Sequence, residues 1–257
     1  MDDIGGLNRD GWNRLVDENN VWTRPVSPDL IARARSGDWA LILTPNKLAP
    51  RDWFGEVTGK DILCLASGGG QQGPVLSAAG ANVSVFDASP KQLAQDAMVA
   101  ARDGLTLTTQ IGFMHDLGCF ADGSFDLVFH PVSNCFAPEI EPVWRECFRV
   151  LRPGGALLAG FMNPHVYLFD LDAQERGELL ARFDLPYADS RDLPADELDR
   201  LVARDHIVEF SHSLETQIGG QLRAGFMLTH FFEDTDLEPS RRSRSMPTTF
   251  ATRAIKP

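Results

Sequence analysis

The chain has 257 residues, 24 Lys and Arg against 36 Asp and Glu, and a formal net charge of -12. At roughly 100–200 residues per domain this is one large domain or two small ones, able to bury about 70–75% of its unfolded surface. A content of 43% hydrophobic and 23% charged residues excludes disorder as the main state, and the acidic balance argues against a nucleic-acid binder or an anionic membrane surface. No apolar run approaches the ~20 residues of a membrane span. The start, Met1-Asp2-Asp3-Ile4-Gly5-Gly6, lacks the basic and apolar regions of a secretion signal. Cys64, Cys119, Cys135 and Cys147 form no CxxC pair, and three of them sit in apolar stretches. They read as buried thiols of a protein kept in the reducing cytoplasm.

Residues 1–60 hold four of the five tryptophans: Trp12, Trp22, Trp39 and Trp53. Ser27 as a cap, Pro28 at the first helical position and Gly37 at the end predict a helix over 28–36. The rest of this segment reads as irregular, a cap over a larger body.

From Asp61 strands alternate with helices. Ile62 to Ala66 is a short continuous apolar run, as in a strand buried on both faces. A glycine-rich loop follows, then a helix to Ala79 ended by Gly80. Asn82 to Asp87 is a second strand, and Ser89-Pro90 opens a helix closed by Asp103-Gly104. Leu105 to Ile111 and Phe125 to His130 are the third and fourth strands. A helix over about Glu139 to Leu151 leads through the tight turn Arg152-Pro153-Gly154-Gly155 to a fifth strand, Ala156 to Phe161. This alternation implies right-handed βαβ units and a mostly parallel open α/β sheet.

Beyond 170 the pattern gives helices at about 172–182, 194–203 and Glu215–Ala224, then strands Phe226–Phe232 and Thr248–Ala254. A loop rather than a helix joins those strands, so they form an antiparallel pair at one edge. That loop, with Pro239, Arg241, Arg242 and Arg244, reads as exposed. Residues 170–199 carry 10 acids and 3 bases and read as a solvated helical region. The resulting division is a cap over 1–60 and one α/β domain over 61–257, with a helical lid at 170–210.

Ser67-Gly68-Gly69-Gly70-Gln71-Gln72-Gly73 lies between a buried strand and a helix. Successive glycines permit torsions other residues avoid and let a ligand approach the main chain. The helix start offers unpaired N–H groups, and ligands of open parallel sheets bind at the carboxyl ends of strands. Asp87 ends the next strand, where a carboxylate can accept hydrogen bonds from ribose hydroxyls.

These segments resemble the class I S-adenosylmethionine-dependent methyltransferases. Cys64-Leu65-Ala66-Ser67-Gly68-Gly69-Gly70 is similar to the family's first motif, and Asp87-Ala88-Ser89 to its second. Phe120 to Val128 resembles the approach to strand four. Arg149 to Leu157, with Leu-Arg-Pro-Gly-Gly inside it, resembles the turn into strand five, and Leu222 to Phe226 the last helix-to-strand turn. The resemblance implies a doubly wound, Rossmann-like fold and S-adenosylmethionine as cofactor. By position it assigns cofactor contacts to Ala66, Ser67, Gly68, Gly69, Gly70, Gln71, Asp87, Ala88 and Ser89, and to the adenine-binding loop Met114, His115, Asp116 and Leu117. Cys64 and Ala66 depart from the first motif, which carries an acid and a glycine there. Gln71 is the candidate to replace the contact of that acid with the methionine end.

The resemblance further implies methyl transfer by in-line displacement, which needs alignment, exclusion of water and, for some acceptors, a base. His130 ends the fourth strand at the cofactor side and His165 follows the fifth, so both are candidate catalytic groups, and His130 is also a candidate cofactor contact; His212 and His230 are less well placed. Trp22, Asn134 and Tyr167 are candidate substrate contacts, and an aromatic face at Trp22 can also meet adenine or the sulfonium. Asp126 has no partner acids placed with it, so no metal is expected. A small-molecule acceptor is expected, with no nucleic-acid or membrane partner; the oligomeric state stays open. Two other readings remain. Gly68, Gly70 and Gly73 literally satisfy GxGxxG, the mark of an NAD(P)-dependent oxidoreductase. The altered first motif also suits a non-methylating protein that binds S-adenosylmethionine.

Overall fold

In the computed structural model, which describes residues 3–238 and 240–257, the apolar run at Asp61–Leu65 is the centre of a seven-stranded sheet. Met1, Asp2 and Pro239, named in the readings of the N-terminus and of the late loop, lie outside the described residues. In chain order the elements are α1 (Ile4–Asp17), α2 (Pro28–Arg35), α3 (Arg51–Phe54), β1 (Asp61–Leu65), α4 (Gln72–Ala78), β2 (Asn82–Asp87), α5 (Pro90–Asp103), β3 (Leu107–Ile111) and β4 (Phe125–His130). Then follow α6 (Glu141–Val150), β5 (Leu151–Met162), α7 (Leu171–Glu175), α8 (Asp189–Asp192), α9 (Ala195–Asp205), α10 (Gly220–Ala224), β6 (Met227–Asp234), α11 (Arg241–Ser245) and β7 (Thr249–Ile255). The spatial order is β3-β2-β1-β4-β5-β7-β6. The first five strands pair in parallel, and β7 runs antiparallel to both β5 and β6. This is the doubly wound sheet with an antiparallel edge. Its topological switch lies between β1 and β4, and that fixes where a ligand crevice opens.

Alternation along β1 feeds two cores. Ile62 and Cys64 face one that also contains Ile31, Trp39, Leu43, Trp53 and Phe54 from the first 60 residues, with Val75 and Val99 from α4 and α5. Leu63 and Leu65 face the other, built on Val143, Trp144 and Cys147 of α6. Trp39 and Trp53 are therefore core residues, whereas only Trp12 and Trp22 of that group reach the ligand cavity described below. At the opposite end of the sheet from that cavity, Arg152 pairs with Asp61 and Asp126 at 2.8 Å each, tying the starts of β1, β4 and β5. That pairing gives the Leu-Arg-Pro-Gly-Gly turn a structural task.

Several segments depart from the sequence reading. The irregular N-terminus contains α1, capped by Asp3, whose carboxylate accepts from the Gly6 amide at 2.8 Å. Three glycines hide this helix from propensity. Gly11 is needed for close approach, since a Cβ there would lie 2.1 Å from the His206 carbonyl. The helix placed at 172–182 stops at Glu175, because Gly177 turns the chain at φ +79° and Phe169 pairs with Ala181. Residues 170–210 are not merely solvated: Tyr187, Leu193, Leu198, Val208 and Phe210 form a third small core against Ile4 and Leu7 of α1. β5 begins at Leu151 rather than after the turn, because Leu151 already pairs with Phe125. The exposed loop after β6 contains α11, closed by a reciprocal Ser240–Ser243 capping box, and Arg242 is held by Asp236 at 3.1 Å. The helix at Glu215 starts as a π turn, whose Thr216 carbonyl accepts from the Trp144 indole at 3.0 Å. Three of the four cysteines are buried, while Cys119 is exposed. Among the described residues no helix is long and apolar enough to cross a membrane.

Asn8 joins α1 to both neighbouring layers. Its amide donates to the Phe136 and Val208 carbonyls at 3.0 Å each and its oxygen accepts from the Val208 amide at 2.8 Å, largely out of water. Asn8→Ala strands these buried groups and should cost about 2–4 kcal/mol. Urea unfolding should show a lower midpoint with an unchanged slope; an unchanged midpoint would contradict this account of the junction.

Candidate active site

The site begins where β1 ends. Ala66 adopts φ +47°, and Gly69 and Gly70 adopt +117° and +71°, conformations that side chains resist. Gly68 is required for space, because a Cβ there would stand 2.7 Å from Gln92 Cβ. Two carboxylates hold the loop. Asp87 Oδ2 accepts from the Gly68 amide at 3.0 Å, and Asp96 Oδ2 from the Gly69 amide at 3.0 Å. Asp87 Oδ1 accepts from the Ser89 amide at 2.8 Å, while Ser89 caps α5 through the Gln92 amide at 3.1 Å. Burial pushes the Asp87 carboxyl above its ordinary range, against the pull of its amide donors. Burial pushes Asp96 up to about 7.

Gln71 serves the loop differently from the methionine-end contact expected of it. Its side-chain amide donates to the Arg24 carbonyl at 2.9 Å, and the Val26 amide donates to the Gly70 carbonyl at 2.9 Å. These bonds fasten the segment carrying Trp22 over the glycine loop.

The loop opens on a cavity of about 320 Å³. Ala66, Ser67, Gly68 and Gln71 form one wall, and Asp87, Ala88 and Ser89 another. Met114 and His115 line it beside Phe113, with the Phe113 and His115 rings stacked at 5.8 Å. Trp22, 39% exposed, covers it. Gly69 and Gly70 lie behind the wall and carry the turn.

Other predicted residues are placed elsewhere. Asp116 is a turn residue whose carboxylate accepts from the Gly118 amide at 3.0 Å, and Leu117 is fully buried; neither lines the cavity. His130 is fully buried, with Nδ1 at 3.0 Å from the Leu65 carbonyl and Nε2 at 2.8 Å from Asn134 Oδ1. Burial pushes its pKa down, and both ring nitrogens are occupied by structural partners. Asn134 in turn donates to Gln217 Oε1 at 2.9 Å. His165 is exposed on the 3-10 turn Pro164–Leu168, off the cavity wall. The structure places none of His130, His165 and Asn134, the candidate catalytic groups and substrate contact, on the cavity wall. Tyr167 is also off the wall, but its hydroxyl donates to Glu209 Oε2 at 2.6 Å, and Glu209 is on it.

Glu209, Asn8, Trp12 and Gln92 line the cavity and escaped the sequence reading. A glutamate inside the apolar run Ile207-Val208-Glu209-Phe210 was the available signal for one of them. Trp12 meets Phe136 edge to face at 5.2 Å, and among the described residues the buried Gln92 Oε1 has no partner.

A buried glycine loop at the sheet's switch point, faced by the carboxylate that ends β2, defines a nucleoside-binding member of the Rossmann-like class. The site suits S-adenosylmethionine in particular. Asp87 keeps acceptor capacity for ribose hydroxyls, the partnerless Gln92 Oε1 lines the same wall, and the apolar remainder tolerates a sulfonium beside aromatic faces. Residues 63–159 match the family model of the methyltransferase domain. An uncharacterized methyltransferase of Bacillus subtilis, YbaJ, is 49% identical over 234 residues, spanning 91% of this chain and 92% of its own length. Among solved structures, an S-adenosylmethionine-dependent methyltransferase from Mesorhizobium loti shares the fold at TM-score 0.60 and 19% identity, over 80% of this chain and 94% of that one. One from Methanosarcina mazei does so at TM-score 0.53 and 18% identity, over 80% and 95%. The chain belongs to the class I S-adenosylmethionine-dependent methyltransferase family.

The buried Asp96 predicts a pH effect. Its folded pKa is raised to about 7, so it holds a proton in the folded state that the unfolded chain releases near 4. Its contribution is fully present below about 4 and is lost as pH rises through about 7. Asp96→Asn should flatten the fall in unfolding free energy between pH 5 and pH 8. A slope equal to that of the wild type would refute the assignment.

Proposed function

We propose that the protein transfers the methyl group of S-adenosylmethionine to a small-molecule acceptor held in this cavity. The carrying observation is that the glycine loop and Asp87 share one cavity with an apolar, aromatic-walled remainder. The cofactor supplies an electrophilic methyl on a sulfonium. Asp87 takes the ribose hydroxyls, Ser67 and Gly68 offer backbone to the methionine end, and Met114 and His115 border the adenine. Residues 1–60 act as the cap and 170–210 as the lid, Trp22 from the former lying over the bound molecule. The enclosed, largely apolar cavity and the acidic surface favour a small acceptor over RNA, and the buried thiols suit the cytoplasm.

Isothermal titration with S-adenosylhomocysteine tests this. The wild type should bind it, and Asp87→Ala should weaken binding about 10–100-fold, the worth of charge-assisted hydrogen bonds. Absence of binding at millimolar ligand would sink the proposal. Binding of NADH in its place would favour the oxidoreductase. Binding without release of S-adenosylhomocysteine from any acceptor in a broad panel would favour the non-methylating reading.

A further inference from the structure

The Glu209 side chain is the one acid of the cavity wall outside the β2 end. It is rigidly set. The Val208 amide and carbonyl are bound by Asn8, and the Phe210 amide donates to the Cys135 carbonyl at 2.8 Å. Its own amide donates to Asp189 Oδ2 at 2.6 Å. Tyr167 donates to Oε2, and among the described residues no group donates to Oε1. Asn8 and Trp12 lie four residues apart on α1 and share a helix face. The indole, in contact with Phe136, therefore borders the same part of the cavity.

We propose that Glu209, positioned by Tyr167, is the proton acceptor for methyl transfer to a hydroxyl on a ring-bearing, apolar acceptor. This rests on the proposed cofactor site. The acceptor oxygen forms the new C–O bond with the methyl group, and the C–S bond breaks with its electron pair leaving on sulfur. The O–H proton passes to Glu209. The products are a methyl ether, a thioether and a neutral carboxylic acid, so two opposite charges vanish together in an apolar cavity. A hydroxyl suits the site better than an amine, which is cationic near neutral pH and would meet the sulfonium's charge. Flat walls at Trp12 and Phe136 suit a ring by offset or edge contact.

Burial pushes Glu209 up to about 7, with Asp189 and Asp205 raising it and Tyr167 and Arg242 lowering it. Desolvation pushes the half-buried Tyr167 hydroxyl and the buried Cys135 thiol well above their ordinary values, and both stay neutral. Arg9 and His115 also line the cavity; Glu209 is the acid of this wall that changes charge near neutral pH, which is where a general base is effective.

The test uses p-cresol as probe and the full-length protein loaded with S-adenosylhomocysteine. The wild type should bind p-cresol, more tightly as pH rises through about 7. Glu209→Gln should bind it about tenfold more weakly and without that pH dependence, while keeping its affinity for S-adenosylhomocysteine. Tyr167→Phe should retain binding but move the pH midpoint upward, a change that a merely structural tyrosine would not cause, and this arm stands if Glu209→Gln fails to fold. Failure of the wild type to bind S-adenosylhomocysteine would bring down the cofactor reading and the proposal with it. Normal S-adenosylhomocysteine binding overturns the Glu209 assignment alone if p-cresol is not bound, binds equally to Glu209→Gln, or shows no pH midpoint.

Discussion

The structure depends on holding a glycine loop open at the switch point without an acid from β1. Cys64 occupies the position where the first motif carries a carboxylate, and as a buried thiol it cannot accept hydrogen bonds with comparable strength. Two acids from the next unit hold the loop instead. Asp87 at the end of β2 takes the Gly68 amide, and Asp96, nearly two turns into α5, takes the Gly69 amide. Both are desolvated, and amide donors offset part of that cost. The loop is thereby coupled to β2 and α5 rather than to its own strand. Gln71 and the Val26–Gly70 bond extend the coupling to the segment bearing Trp22.

What was legible in the sequence follows physical simplicity. β1 announces itself because a strand covered on both faces needs a continuous apolar run, here Ile62 to Leu65. The caps at Ser27 and Ser89 were readable because local hydrogen bonds terminate helices. The glycine loop and Asp87 were readable because their backbone demands leave few residue types. α1 was not, since its glycines serve contacts with His206 and Phe113 that are remote in sequence. His130 shows a related limit of local signature: a strand-end histidine at the ligand edge reads the same whether it faces the cavity or, as here, spans Leu65 and Asn134.

Residues 1–60 and 170–210 looked like separate covers, one tryptophan-rich and one acidic. They are joined. Gly11 packs on His206, Asn8 binds Val208, and Ile4 and Leu7 enter the small core of Tyr187 and Phe210. The acidic excess over 170–199 is partly consumed within this unit, where Arg182 spans Asp170 and Glu197 at 2.9 and 2.8 Å.

This joining shapes the cavity wall. A wall assembled from the β4 end, α1 and the strip around Glu209 draws on chain segments about 200 residues apart. α1 holds Val208 through Asn8 and also reaches the start of α5, where Asn13 Oδ1 accepts from the Ser89 hydroxyl at 2.8 Å, so it braces both the wall at Glu209 and the turn after Asp87. In the proposed assignment, α1 therefore links the cofactor side of the cavity to the acceptor side. The glycine loop is held by carboxylates buried beneath it, and the wall around Glu209 by a hydrogen-bonded junction between residues 1–60 and 170–210.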